Sequence, residues 1–266
     1  MIYTIEDYFD HIIDYINLTI YRNNIIFDSI SELQSNNIKG KEIYIEFDDE
    51  EGYDEGGLRR DWLSTITDAI INTGAIIPTP DGEYYTVNNK YSDKKVFNLI
   101  GQVLGVAFNN RQSINLKLMS SIWKFIFNEK VDINDMKEYD NDIYNSLNCI
   151  KNSDVTSMYL AFVDSNEEEL CDNGKNKEVT NDNKNQYIDR IIQKRLIEDN
   201  YSQIIEIRNG FQSAVDISDC SYIGWKEIRD FIKGKESFDI EDMRKNCNYN
   251  SDDEDSVDLF FDVISD

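Results

Sequence analysis

The sequence predicts an α+β fold that is mostly α-helical. Apolar residues recur at three- and four-residue spacing through much of the 266-residue chain, which is the period of an amphipathic helix. Alternation of apolar and polar positions is limited to short runs, so strands should be few and short. The chain has only 2 prolines, 12 glycines and no internal repeat, and its length suits one domain or two small ones.

Helices are predicted wherever the helical spacing persists. Asp93 precedes one helix, Asp135 or Asp140 could cap another, and Asn181 or Asp182 stands before the longest. In chain order the predicted helices are residues 2–35, 58–73, 94–110, 113–127, 131–152, 185–211 and 225–233, with a last turn or helix in 237–250 and a further start near the end.

Strands are predicted where apolar residues alternate or where an extended run meets a turn signal. KEIYIEF (41–47) has the pattern of a half-buried strand, and MYLAFVD (158–164) is predicted as another. Asp172-Asn173-Gly174 is a hairpin signal, with KEVT (177–180) as the returning strand. Gly101 and Gly105 share the apolar face of one helix, which predicts close packing against another core element.

Charge and composition exclude several classes of function. The net charge of −25 opposes nucleic-acid binding, which needs a basic surface. We expect no signal peptide and no membrane span, because the amino-terminal segment is acidic and no window is long and apolar enough. The four cysteines are scattered without a CxxC pair, so neither a metal site, a cofactor nor a disulfide framework is expected. These features favour an intracellular protein, cytoplasmic or nuclear.

The polar residues offer little for nucleophilic catalysis. His11 is the single histidine, and it falls in an apolar-periodic stretch where a helix-surface role is the simpler interpretation. Cys149, Cys171, Cys220 and Cys247 are each expected to be small, buried or partly buried residues.

EEGYDEGGLRR (50–60) suggests a metal loop, a phosphate cradle or an anion site. No register satisfies the calcium-loop spacing, and neither the P-loop nor the dinucleotide spacing is present. The remaining interpretation is a strand-to-helix corner formed by Gly56, Gly57, Arg59 and Arg60. The glycines would permit the turn, and the arginines would face nearby carboxylates, such as Asp54, Glu55, Glu50 and Glu51.

The same stretch resembles a known family signature. IYIEFDDEEGYDEGGLRRDWLSTI resembles the opening of the HECT domain of ubiquitin ligases, carried by Gly56, Gly57, Leu58, Arg60, Asp61 and Trp62. Further segments resemble the family in the same order, among them VFNLIGQVLGVAFNNRQSINLKL, IYNSLNCI and EVTNDNKNQYI.

The resemblance implies an amino-terminal lobe that docks a ubiquitin-conjugating enzyme, and a carboxy-terminal lobe whose cysteine carries ubiquitin as a thioester. We expect the chain to end at the hinge, without that second lobe, and no cysteine here matches the catalytic position, so no catalytic residue is assigned. The implied organisation is a large subdomain (1–138 and 199–250), a small docking subdomain (139–198) and the start of the helix leading to the hinge (251–266).

The residues implied to bind the conjugating enzyme line a hydrophobic groove in the family. They are Ile143, Ser146, Ile150, Met158, Leu160 and Tyr187. The first three share one helical face, and Met158 and Leu160 would share one face of a strand. Ordinary core packing is the alternative interpretation. The resemblance leaves three functions open for the chain. It could be a ligase portion whose partners include ubiquitin and a protein substrate, a non-catalytic module that sequesters conjugating enzymes or substrates, or an inactive remnant.

Overall fold

The computed structural model describes residues 4–12, 14–48, 50, 56–218, 220 and 222–234, together with positions 257, 260, 261 and 263. It confirms the predicted α+β, mostly helical class. The helices are α1 (Ile5–Phe9), α2 (Ile25–Ser35), α3 (Gly57–Asn72), α4 (Lys94–Asn109), α5 (Ser120–Ile126), α6 (Asp135–Tyr139), α7 (Asn141–Asn152), α8 (Lys184–Leu196), α9 (Tyr201–Ala214) and α10 (Trp225–Lys233). The strands are β1 (Asp14–Ile20), β2 (Lys41–Phe47), β3 (Ile76–Pro78) and β4 (Tyr85–Val87).

The amino-terminal region is a βαβ unit, in which α2 connects the parallel strands β1 and β2. The prediction of one helix over residues 2–35 is therefore wrong, since β1 occupies residues 14–20. Leu18 and Ile20 alternate on the buried face and lie beside Ile45 and Phe47 of β2. The pairing with β2 buries Leu18 and Ile20 completely, and local spacing alone does not reveal it.

The centre of the fold is α4, which is buried along most of its length and crosses α9. Asp93, which precedes the predicted helix, caps α4 by accepting a hydrogen bond from the Lys95 amide at 2.9 Å. Gly101 and Gly105 of α4 face α9, and Gly210 of α9 faces α4. The close approach expected for the α4 glycines is confirmed, because any side chain there would meet the opposing helix.

Several boundaries in the second half differ from the prediction. Residues 113–119 are not helical, and the predicted helix is shortened to α5. The predicted long helix is two helices, α8 and α9, which are separated by a 3₁₀ turn at Glu198–Asn200. Neither Asn181 nor Asp182 caps it, since Asn183 stands at the start of α8.

The predicted strand MYLAFVD is also wrong as a continuous element. Ala161 pairs with Glu178 and Val163 with Glu169, each as an isolated bridge. The hairpin predicted at Asp172-Asn173-Gly174 is wrong as well, since Gly174–Asn176 form a 3₁₀ turn and residues 177–180 form no strand. Other predictions are confirmed: β2, α3, the Asp140 cap of α7 and the end of α10 at Lys233. The elements predicted in 237–250 lie outside the described residues, as does most of 251–266.

Candidate functional site

A cleft of about 560 Å³ lies between α7, α8 and the segment that connects them. Asp140 begins α7 by accepting hydrogen bonds from the amides of Asp142 and Ile143, which fixes the helix that forms one wall. The cleft is lined by Ile143, Ser146, Leu147, Ile150, Tyr159, Leu160, Ala161, Val163, Asp164, Ser165, Tyr187, Ile191 and Arg195.

Five of the six predicted groove residues line this cleft, and Met158 does not. The sequence argument placed Met158 and Leu160 on one strand face, which requires extended backbone at Tyr159. Tyr159 instead has a φ of 49°, in the left-handed region, so the two-residue alternation fails there. Tyr159 itself joins Leu160 in the cleft, with its side chain 88% exposed.

The α7 wall presents partly exposed apolar side chains. Ile143 and Ile150 are half-buried and pack against the core, while Ser146 between them is exposed. The Ser146 hydroxyl donates to the Asp142 carbonyl at 2.8 Å, so it is satisfied within the helix. An incoming side chain therefore meets hydrocarbon from two isoleucines along this wall.

Tyr187 forms a fixed aromatic wall at the start of α8. Its ring is buried and meets the Phe162 ring edge-on, with centroids 5.5 Å apart. Its hydroxyl donates to the Val163 carbonyl at 3.3 Å. Burial raises the pKa of Tyr187, and Asp164 adds to that effect, so the phenol stays neutral and rigidly placed.

The far end of the cleft is polar. Asp164 is buried, and one of its oxygens accepts from the amides of Asn166 and Glu168 at 2.8 and 3.0 Å. Burial alone would raise the pKa of Asp164, but these amides and the nearby Lys194 ammonium outweigh it and lower the pKa. Arg195, which also lines the cleft, donates to the Ser165 hydroxyl.

The sequence missed eight lining residues, and three of them carried a readable signal. Leu147 follows Ile143 by four positions, and Ile191 and Arg195 follow Tyr187 by four and eight, so helical periodicity places each on the same face. The others belong to the irregular segment 159–165, whose path depends on the left-handed Tyr159.

The predicted corner begins α3 with Gly56 at a φ of 99°, a conformation that favours glycine. Arg59 donates to the Asn110 side-chain oxygen at 2.8 Å and to the Ile43 carbonyl at 3.1 Å, which ties α3 to the outer edge of β2. Arg60 donates to the Gln112 side chain at 3.3 Å.

Of the carboxylates predicted to face Arg59 and Arg60, only Glu50 lies among the described residues. Glu50 pairs with Arg22, which also contacts Asp61 at 2.5 Å, and the bonds from Arg22 lower the pKa of Glu50. Glu51, Asp54 and Glu55 lie outside the described residues.

The described cysteines differ in exposure. Cys220 is buried and Cys171 is partly exposed, as expected, but Cys149 on α7 is exposed, contrary to the expectation of burial. Cys247 lies outside the described residues. His11 follows α1 on the surface, with its Nδ1 2.7 Å from the Asp7 carbonyl. Of the described helices, none combines the length and hydropathy needed to cross a bilayer.

Comparison with known protein families shows which family the chain belongs to. A family model described as HECT-domain (ubiquitin-transferase) matches residues 65–266. The chain belongs to the HECT-domain family. The match covers the central helices and the entire cleft, and it confirms the resemblance seen in the sequence.

Relatives of the chain include three ubiquitin ligases. The chain is 30% identical to E3 ubiquitin-protein ligase pub1 of Schizosaccharomyces pombe, which covers 88% of this chain and 33% of pub1. It is 26% identical to E3 ubiquitin-protein ligase Nedd-4 of Drosophila melanogaster, covering 88% of this chain and 25% of the relative. Its identity to E3 ubiquitin-protein ligase ptr1 of S. pombe is 25%, over 88% of this chain and 8% of ptr1. The chain therefore spans a third or less of these relatives.

Proposed function

We propose that this HECT-family chain docks a ubiquitin-conjugating enzyme in the cleft between α7 and α8, as part of ubiquitin transfer to a protein substrate. One observation carries the proposal: five residues at positions matching the family's groove line a single cleft. A merely structural role would leave these side chains buried in the core. Ser146 is instead exposed and Ile143, Ile150 and Leu160 are partly exposed, while Tyr187 alone of the five is buried.

The chemistry of the cleft suits an apolar or aromatic anchor from the partner. Isoleucine and leucine side chains line the α7 wall and floor, and the rigid Tyr187 ring closes one side. Burying one large side chain in such a pocket contributes roughly 1.5–3 kcal/mol. An anchor of this kind dominates the energetics of many protein interfaces.

The small docking subdomain is also a proposal, assigned to residues 139–198 and inserted into a large subdomain. Its support is that α7, α8 and the loop between them form both walls of the cleft. Partners beyond the conjugating enzyme, namely ubiquitin and a substrate, follow from the same proposal, as does action inside the cell.

Titration of the purified chain against a panel of ubiquitin-conjugating enzymes tests the proposal. Leu160→Ala should weaken binding by about tenfold, because Leu160 lines the cleft. Met158→Ala is the matched control, since Met158 is also partly buried but lies outside the cleft, and it should change affinity less than twofold. Equal losses in the two variants, or no binding to any conjugating enzyme, would refute docking in this cleft.

A second experiment tests whether this chain itself accepts ubiquitin. The purified chain is mixed with a ubiquitin-charged conjugating enzyme and resolved with and without reductant. Because no cysteine matches the family's catalytic position, we expect binding without a reducible ubiquitin adduct on this chain. An adduct lost in Cys149→Ser, the exposed described cysteine, would contradict the assignment of no catalytic residue.

A further inference from the structure

The outer edge of β1 is an open strand edge. In the parallel ladder Asp14, Ile16, Leu18 and Ile20 direct their backbone groups toward β2, as the bond from the Asp48 amide to the Ile20 carbonyl indicates. Tyr15, Asn17 and Thr19 therefore direct one N–H and one C=O each to the outside. Within the described part of the chain, no backbone partner meets these three residues.

The other edge of the same sheet is closed. The outward amide of Ile43 on β2 donates to the Asn110 side chain at 2.9 Å, and the Ile43 carbonyl accepts from Arg59 at 3.1 Å. Just beyond β1, the Tyr21 amide donates to Asp28 of α2 at 3.0 Å. The opening is thus confined to the segment from Tyr15 to Thr19, where all three outward residues are exposed.

Among the described residues, the open edge has none of the usual protection against pairing. Exposed edges in native proteins carry lysine or proline, contain a bulge, or are covered by another element. Residues 14–20 contain neither a basic residue nor a proline, and the ladder runs through all seven pairs without a bulge. Tyr15 is 65% exposed and packs edge-on against Tyr44 of β2, so an exposed aromatic pair flanks the edge.

The charge near the edge indicates which kind of partner would bind there. The solvent face of the sheet carries Tyr15, Asn17, Thr19, Glu42, Tyr44 and Glu46. Arg59 of α3 reaches this face, with its guanidinium 3.9 Å from Glu42 and 5.6 Å from the centre of the Tyr44 ring. Glu46 is the acid on this face that has no ion-pair partner among the described residues. A second copy of the chain would bring another net charge of −25 to the same place, which disfavours self-pairing.

We propose that the outer edge of β1 binds an extended peptide segment rich in lysine or arginine, which joins the sheet as a third strand. Backbone hydrogen bonds to Tyr15, Asn17 and Thr19 supply the pairing, and a basic side chain of the peptide lies beside Glu46, the neighbour of Thr19 on the solvent face. This surface is separate from the cleft between α7 and α8, and its occupation does not depend on docking there.

The test uses a labelled nine-residue peptide in which lysine alternates with threonine and valine. Fluorescence anisotropy measures its affinity for the purified chain. The matched control peptide is N-methylated at alternate residues, which keeps the charge but blocks backbone pairing. We expect N-methylation to weaken binding at least tenfold, and hydrogen exchange of the Tyr15, Asn17 and Thr19 amides to slow only with the unmodified peptide.

Variants at Asn17 test the edge from the protein's side. Asn17→Pro removes an outward N–H that the ladder does not use, and an edge strand tolerates proline at such a position. It should lower affinity at least tenfold, whereas Asn17→Ala, which keeps the N–H, should stay within twofold. Equal binding of both peptides, no binding of either, or a wild-type dimer that Asn17→Pro dissociates would each overturn the proposal.

Discussion

Replacing Gly101 with alanine tests the packing that holds the fold together. A Cβ at this position would lie 2.6 Å from the Phe211 amide nitrogen and 2.8 Å from the Ile207 carbonyl carbon. The Ile207 carbonyl oxygen would lie closer still. Unstrained contacts between such atoms are about 3.5–4.0 Å, so α4 and α9 would have to separate by more than about 1 Å. Because these atoms belong to a helix backbone, rotation of a side chain cannot relieve the clash.

The magnitude follows from two opposed effects. Overpacking of a well-packed core costs about 1–3 kcal/mol, and backbone clashes on α9 place this case near the upper value. Alanine is favoured over glycine within a helix by about 1 kcal/mol, which offsets part of the cost. We expect a net loss of about 2 kcal/mol, which at about 2–4 °C per kcal/mol lowers the melting temperature by about 4–8 °C.

Thermal and urea unfolding measure this loss, and Gly57→Ala is the control. Gly57 also lies in a helix, but a Cβ there meets no atom within 4 Å, so its replacement should be neutral or stabilising by up to about 1 kcal/mol. If Gly101→Ala is as stable as Gly57→Ala, the proposed backbone-to-backbone packing of α4 against α9 is incorrect.

Two further predictions concern charged groups. The Lys124 ammonium lies 2.7 Å from the buried Asp135 carboxylate. Lys124→Met should lower the free energy of unfolding by about 3 kcal/mol, because it leaves that carboxylate without its counter-ion. Lys130→Met, at an exposed ion pair, should cost at most about 1 kcal/mol in the same urea assay, and equal losses would argue against a role for burial. Hydrogen bonding to Lys39, and then to Ser218, lowers the pKa of Asp216 to about 2, below its unfolded value of about 3.9. The contribution of Asp216 to the free energy of unfolding is therefore complete above about pH 4 and is lost as the pH falls toward 2. Asp216→Asn should flatten the acid side of a curve of unfolding free energy against pH, and an unchanged curve would contradict this.

The βαβ unit shows where local pattern was insufficient. Isoleucines in residues 5–16 recur at helical spacing, and α1 does begin there, but β1 starts at Asp14. Leu18 and Ile20 alternate, and this signal is too short to outweigh the preceding helical period. The partner strand lies 27 residues further along the chain, with Leu18 beside Ile45, and only that pairing decides the structure.

The sequence predicted the cleft residues that lie on helices and missed most of those in the irregular segment 159–165. The positions on α7, together with Tyr187 at the start of α8, follow from one helical face each, and all of them line the cleft. Met158 was misplaced because the argument assumed a continuous strand through Tyr159. A tyrosine in the left-handed region has no sequence signal, since that conformation is favoured by glycine and asparagine instead.

The sequence also contained no signal for the break between α8 and α9. No proline or glycine marks it, and the apolar period continues from Ile192 to Ile204. In the fold, the Asn200 side chain donates to the Arg195 carbonyl at 2.9 Å, which satisfies the end of α8 and begins the turn into α9. Asparagine can replace backbone hydrogen bonds in this way, but its presence in a helical period does not by itself predict a break.

Methyl NMR during titration with a ubiquitin-conjugating enzyme tests the central claim most directly. The account predicts saturable shifts of the Ile143, Ile150 and Leu160 methyl groups, which line the cleft, while the buried methyl of Ile70 in α3 stays in place. Shifts confined to another surface, such as the groove beside the exposed Phe27 of α2, would contradict docking between α7 and α8.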